Sequence, residues 1–324
     1  MKRIVLGVVL ALVAIVVVLN WTWGRLPGEP PRTGRLVQLG DTTVRVLEHP
    51  GKDPAVVLIH GLPGTAQDFD KVTALLPGRH TIAFDRPGFG YSSGGYHPAA
   101  EQLATLRRLL TALDVRRPVL VGHSYGGTLA LAYAEQRPQD VRGLVLVDAA
   151  AGGQHSAAFQ RAQSHLVQVL SWPVVQPLAD VTFSQLLRTA SAKQADSAAF
   201  DPGDVDPAHE HRVLALNMQH DELDAFAGEQ LHIDGVIAGI DKRLAALQTP
   251  AVVIQGTKDQ FVKPEHGRRI AEMLRHARLV MVSGGHMAPY VHPAVVAAAA
   301  RELLAASTRP QALRARERAR SAAR

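Results

Sequence analysis

Cysteine is absent from all 324 residues. That excludes disulfides, cysteine-ligated zinc, iron–sulfur clusters, a cysteine nucleophile and any lipid anchor on cysteine. No H-E-x-x-H motif and no internal repeat occur. The body of the chain also lacks an excess of positive charge, although the whole carries +6. Residues 307–324 hold six Arg against one Glu, and Lys2 and Arg3 add two more charges, which leaves −1 for the rest. The basic character belongs to the two ends, so it gives no ground for reading a nucleic-acid partner. What is plentiful is apolar: hydrophobic residues make up 47% and charged residues 20%, enough for a packed core and too little charge for wholesale disorder.

The apolar residues are unevenly distributed. Ile4–Leu19 is an unbroken apolar run, preceded by Lys2 and Arg3 and followed by Asn20, Trp21 and Trp23. As a helix, 4–23 would reach about 30 Å, close to one hydrocarbon thickness. Two tryptophans at one end suit a membrane interface. A cleaved signal peptide would have a shorter apolar region and a small-x-small site, which Leu19–Trp23 does not offer. Residues 1–24 are therefore expected to be an uncleaved transmembrane anchor. The positive-inside balance is nearly even, and the signal-like start favours an extracytoplasmic body. Residues 25–34, with Pro27, Gly28, Pro30, Pro31 and Gly34, read as an extended tether. The basic tail, 307–324, reads as a solvated charge run.

Between tether and tail, apolar runs alternate with helical patterns. Leu36–Leu39 and Thr43–Glu48 read as a hairpin turning at Gly40 and Asp41. Ala55–Ile59, Thr81–Phe84, Val119–Val121, Leu144–Val147, Val252–Ile254 and Leu279–Val282 follow. Strands apolar at every position suit a parallel sheet covered on both faces. Helical stripes lie at Glu101–Leu113, Thr128–Gln136 and Glu265–Leu274. The fold class is α/β, a mostly parallel, doubly wound sheet of eight strands. About 100 residues between Asp148 and Ala251 lack a buried strand, far more than an ordinary connection needs. Their patterns (Ala157–Leu170, Phe183–Ala190, Pro207–Phe226, Gln230–Leu247) predict a helical cap at 149–250, inserted after the sixth strand between core segments 35–148 and 251–306.

The chemistry concentrates where strands end. Gly122-His123-Ser124-Tyr125-Gly126 follows an apolar strand and opens a helical run. This is G-x-S-x-G in the strand, tight turn and helix setting that it requires. The glycines let the chains approach while the turn lifts the Ser124 hydroxyl clear of the sheet. A serine hydroxyl needs a base titrating near neutrality, and histidine, at about 6.5, meets that need. The base in turn needs an acceptor to hold its tautomer and stabilise imidazolium. His286 and Asp259 each follow a strand, and the carboxyl ends of parallel strands share one sheet edge. Asp148, ending the sixth strand, is the alternative acid. Asp85 and His60 read as loop-ordering residues, and His123 as locked beside the serine. His209, His211, His220 and His232 read as cap-surface histidines rather than a metal site, since i and i+2 do not share a helix face.

At this point the chain resembles the α/β-hydrolase superfamily over about 35–307. His60-Gly61-Leu62-Pro63-Gly64 resembles its oxyanion segment, and Asp85-Arg86-Pro87-Gly88-Phe89-Gly90 its D-x-x-G-x-G turn. Gly256-Thr257-Lys258-Asp259 and Gly284-Gly285-His286 stand where it keeps acid and base, and the order Ser, Asp, His is its order. The resemblance implies a catalytic set of Ser124, Asp259 and His286, with an oxyanion hole made by the amides of Tyr125 and Leu62. Pro63 has no N–H to offer. It implies no cofactor and a small apolar ester or related acyl substrate. Sister activities with the same set are carbon–carbon bond hydrolysis and cofactor-free haloperoxidase or perhydrolase chemistry. Dehalogenases and epoxide hydrolases of this fold use Asp as nucleophile, where this chain has Ser124. Epoxide hydrolases also use cap tyrosines, and 149–250 contains none. A member that binds without catalysis, tethered to a membrane, is the reading from a different class.

Overall fold

The computed structural model describes residues 2–23, 27–153, 184–217 and 220–306, with isolated positions between 154 and 183. Eight strands form one sheet: β1 (Arg35–Leu39), β2 (Thr42–His49), β3 (Lys52–Ile59), β4 (Arg79–Phe84), β5 (Val119–His123), β6 (Gly143–Val147), β7 (Ala251–Gly256) and β8 (Ala277–Val282). Their order is β1-β2-β4-β3-β5-β6-β7-β8. The first two strands form the expected hairpin, β2 pairs antiparallel with β4, and every later pairing is parallel. Strands β5, β6 and β7 are buried at every residue, as their unbroken apolar runs require.

The helices are α1 (Lys2–Trp23), α2 (Asp70–Ala74), α3 (Ala99–Ala112), α4 (Tyr125–Gln136), α5 (Ser184–Phe200), α6 (Pro207–Arg212), α7 (His220–Asp241), α8 (Pro264–Met273), α9 (Ala288–Val291) and α10 (Pro293–Ala306). The stripe of α3 buries Leu103, Leu106, Leu109 and Leu110 beneath one face of the sheet. Helix α10 buries Val296, Ala300, Leu303 and Leu304 against the other. α10 packs closely on β6 at Gly143, where a Cβ would stand 3.1 Å from the Leu303 side chain.

Helices α5, α6 and α7 lie between β6 and β7 and form the helical insertion after the sixth strand. Two of its boundaries differ from expectation. The single helix expected over Pro207–Phe226 is broken into α6, a π turn at Val213–Asn217 and the start of α7. Helix α7 ends at Asp241, and a 3-10 turn at Leu244–Ala246 replaces the end of the helix expected to reach Leu247. Most of Ala157–Leu170 and the basic tail lie outside the described residues.

The transmembrane anchor expected at 1–24 is corrected by the structure. Among the described residues no helix is long and apolar enough to cross a membrane. The end of α1 instead packs against α5. There Asn20 is fully buried, and its Oδ1 accepts a hydrogen bond from the Leu186 N–H at 3.0 Å. A polar side chain committed to the cap ties this helix to the protein. The membrane partner and the extracytoplasmic placement deduced from the anchor fall with it.

Candidate active site

Ser124 stands between the last residue of β5 and the first of α4. Its φ of 51° and ψ of −121° lie outside the regions that L-residues populate freely. The neighbouring glycines are sterically obligatory. A Cβ on Gly122 would stand 2.4 Å from the Gly126 carbonyl oxygen, and one on Gly126 would stand 2.1 Å from that of Ile59. The turn is tied down by its own backbone: the Ser124 N–H donates to Val147 O at 2.9 Å, and Ser124 O accepts from Gly127 and Ala150. Tyr125, opening α4, has an N–H with no intrahelical carbonyl to receive it. Ser124 is 7% exposed.

The loop after β3 lies against this turn. A Cβ on Gly61 would be 3.0 Å from both Ser124 Cβ and His123 Nδ1. His60 has the loop-ordering role expected of it. Its Nε2 accepts from the Arg86 N–H at 2.8 Å, so its Nδ1 carries the proton and donates to Gly61 O at 2.9 Å. Burial, then the neighbouring Arg86, holds the His60 pKa well below the ordinary histidine value, keeping it neutral. Asp85 likewise orders its loop. It accepts from Arg45 at 2.7 Å and from the amides of Ala66 and Tyr91.

His286 follows β8, and its Nδ1 is 2.7 Å from Asp259 Oδ2. The carboxylate accepts only if Nδ1 carries the proton, which leaves Nε2 as the basic nitrogen. Asp259 is held by the amides of Phe261 and Val262, each donating to Oδ1 at 2.9 Å, and by Gln255 Nε2 at 3.2 Å to Oδ2. Burial opposes charge on both members of the pair. Their mutual attraction prevails, lifting the His286 pKa above the ordinary value and lowering that of Asp259. The His286 ring lies beside the elbow, with its centroid 4.9 Å from that of His123. His123 is locked in place as expected: its Nε2–H donates to His286 O at 2.7 Å, and burial pushes its pKa down to about 3. Thus the Gly61 loop lies against Ser124 and His123, and His123 in turn against His286, which holds Asp259.

Asp148, the alternative acid, is fully buried. Its Oδ1 accepts from Gly256 N at 2.7 Å and its Oδ2 from Ala288 N at 3.3 Å, bracing the β7 and β8 loops. Burial pushes its pKa up, against the pull of the neighbouring His286. His123, Asp148 and His286 bring polar atoms within 4.8 Å of one another. His123 Nε2, the Asp148 oxygens and His286 Nδ1 are engaged by His286 O, by backbone amides and by Asp259, while His123 Nδ1 is buried without a hydrogen-bond partner.

Several contributors escaped the sequence reading. The cap touches the base loop directly: the N–H groups of His286 and Met287 both donate to Ala199 O in α5, at 2.8 and 3.2 Å. His209 is not a surface histidine. It is 5% exposed, enclosed by Asp68, Asp196 and the rings of Phe200 and Tyr290. Arg86 and Glu229 form a buried ion pair between the β4 loop and α7. The available signal was Glu229 itself, a charge four residues from Ala225 and Ile233 on an apolar helix stripe.

Comparison with known proteins agrees with this architecture. The family described as "alpha/beta hydrolase fold" matches residues 54–293. The chain is 29% identical to Lipase 1 of Psychrobacter immobilis over 237 residues, 72% of this chain and 71% of that one. It is 27% identical to a poly(3-hydroxyalkanoate) depolymerase of Ectopseudomonas oleovorans, over 79% of this chain and 87% of that one. A thermophilic esterase from Thermogutta terrifontis superposes with a TM-score of 0.69 at 20% identity, covering 84% of this chain and 98% of that one. The protein belongs to the α/β-hydrolase family. It is an enzyme, a hydrolase of ester substrates at the level of the family.

Proposed function

We propose that the protein is a serine esterase that cleaves a small apolar carboxylic ester through an acyl-enzyme. The observation that carries this reading is the 2.7 Å contact of His286 Nδ1 with Asp259 Oδ2 beside the elbow that presents Ser124. His286 Nε2 takes the Ser124 proton as Oγ attacks the ester carbonyl carbon. The negative charge passes to the carbonyl oxygen, and the amides of Leu62 and Tyr125 receive it. Such donors act on charge that develops only in the transition state, and one of them is worth about 3–4 kcal/mol. The C–O bond then breaks, and the imidazolium gives its proton to the leaving alcohol. Water, deprotonated by the same nitrogen, attacks the acyl carbon and releases the acid and Ser124. Asp259 orients the ring and steadies its charged form throughout.

Phe261, with its ring centroid 5.4 Å from that of His286, and the Phe200, Met287 and Tyr290 cluster supply apolar surface around the base. These residues favour a modest apolar acyl or alcohol group. The similarity to a lipase and a depolymerase also supports ester chemistry. The test is turnover of p-nitrophenyl esters of graded chain length by the full chain and by Ser124→Ala. A preference for short acyl chains that vanishes in the variant is expected. Equal turnover by Ser124→Ala would remove the serine from the reaction.

A further inference from the structure

Arg86 is 1% exposed and every direction of its guanidinium is used. Nε donates to His60 O at 3.1 Å, Nη2 to Gly61 O at 2.7 Å and Nη1 to Gln102 Oε1 at 2.8 Å. Nη1 and Nη2 together grip the two carboxylate oxygens of Glu229, the latter at 3.0 Å. Gln102 Nε2 closes the ring by donating to Glu229 Oε1 at 2.6 Å. The guanidinium also lies 5.2 Å from the centre of the Tyr125 ring. It therefore touches both segments assigned above to the oxyanion hole.

The carbonyl it holds matters most. Gly61 O and the Leu62 N–H belong to one peptide plane, and in a trans peptide they point in opposite directions. The cis bond here is the next one, Leu62–Pro63. Gly61 O is pinned from one side by Arg86 Nη2 and His60 Nδ1, so the Leu62 N–H must face away from them. The peptide cannot rotate without abandoning two buried hydrogen bonds. Arg86 can maintain this grip only while its own charge is matched, because a buried guanidinium without a counter-ion seeks other partners. The match comes from α7, about 140 residues further along the chain.

We propose that Glu229 is a positioning residue by which the cap sets the oxyanion hole: through Arg86 it fixes the orientation of the Gly61–Leu62 peptide, so seating of α7 and transition-state binding are one event. This rests on the esterase reading above and adds to it a dependence of the chemistry on the cap. The test uses the full chain with Glu229→Gln and Glu229→Asp. Ester kcat is normalised to Ser124 sites titrated by a fluorophosphonate, and inhibition by a trifluoromethyl ketone reports binding of the tetrahedral oxyanion. Glu229→Gln should lower kcat per titrated site about tenfold, a fraction of the effect of deleting a donor outright. KM should stay within about twofold, ketone affinity should fall by the same factor as kcat, and Glu229→Asp should restore part of both. Unchanged kcat per site, or a loss confined to KM, overturns the proposal. If Glu229→Gln does not fold, Gln102→Met, which keeps the ion pair and removes its bridge, is judged by the same split with about a threefold loss expected. The Leu62 amide can also be read directly by NMR of 15N-leucine-labelled protein. A resonance that moves in these variants without any Ser124-dependent turnover supports the link and sinks the esterase reading. A resonance that stays in place in the variants, while the wild type turns over through Ser124, sinks the link and leaves the esterase reading standing.

Discussion

The elbow and the cap reach the same small volume by opposite means. At the elbow, backbone does the work. At Gly122 and Gly126 an added Cβ would stand 2.4 and 2.1 Å from backbone oxygens, so no side chain fits there, and Ser124 is held by hydrogen bonds from both sides of the turn. In the cap, side chains and single carbonyls do it: Ala199 O receives the base loop, Glu229 seizes Arg86 and Asp206 accepts from the Tyr290 hydroxyl at 2.8 Å. A site braced by backbone tolerates change nowhere along its motif. One braced by scattered side chains tolerates change almost everywhere except at its few anchors. The elbow that carries Ser124 therefore belongs to the rigid half, and the cap contacts to the base loop and to Arg86 belong to the adaptable half.

That contrast breaks most sharply at the reacting atoms. Ser124→Ala and His286→Ala should each lower ester kcat by about 10⁴–10⁶-fold, with circular dichroism unchanged. Activity within tenfold of wild type in either would take the chemistry away from the elbow. Asp259→Asn should cost about 10³–10⁴-fold, whereas Asp148→Asn should stay within about tenfold, because Asp148 braces backbone amides rather than the imidazole. The reverse ranking would move the acid to β6. The same pair sharpens the pH profile. Catalysis needs His286 neutral, and its pKa is raised because the Asp259 charge outweighs burial. Turnover should therefore rise with pH through a midpoint above about 6.5, and Asp259→Asn should move that midpoint downward. A midpoint unmoved by the substitution would deny the electrostatic link.

Smaller effects test the two kinds of bracing against each other. Gly126→Ala should destabilise by about 1–3 kcal/mol or more, since the added carbon meets backbone that cannot yield. Tyr290→Phe should cost about 0.5–1.5 kcal/mol, one partly buried hydrogen bond. Urea unfolding midpoints of the two variants would show whether the elbow is indeed the less forgiving half. Equal losses would erase the distinction.

The same division explains what could be read in advance. Strands β3, β5, β6 and β7 were legible because burial on both faces leaves an unbroken apolar run. That Asp259 and His286 lie side by side was legible because each follows a strand by a few residues, and a parallel sheet places such loops together. Hydrogen bonds such as His286 N–H to Ala199 O join residues far apart in the chain and leave no local trace. The burial of His209 depends on Asp68, on Asp196 and Phe200 of α5, and on Tyr290, arriving from three different segments, which periodicity cannot foresee. The apolar run near the amino end misled for a related reason. Composition registers sixteen apolar residues but not the pocket in the cap that holds Asn20.

One measurement bears most directly on the central claim: intact-mass and peptide mapping after treatment of the full chain with a fluorophosphonate. A single adduct on Ser124, formed at the rate at which ester turnover disappears and absent from His286→Ala, is the expected result. Turnover that survives stoichiometric labelling, or an adduct on another residue while Ser124 stays unmodified, would contradict it.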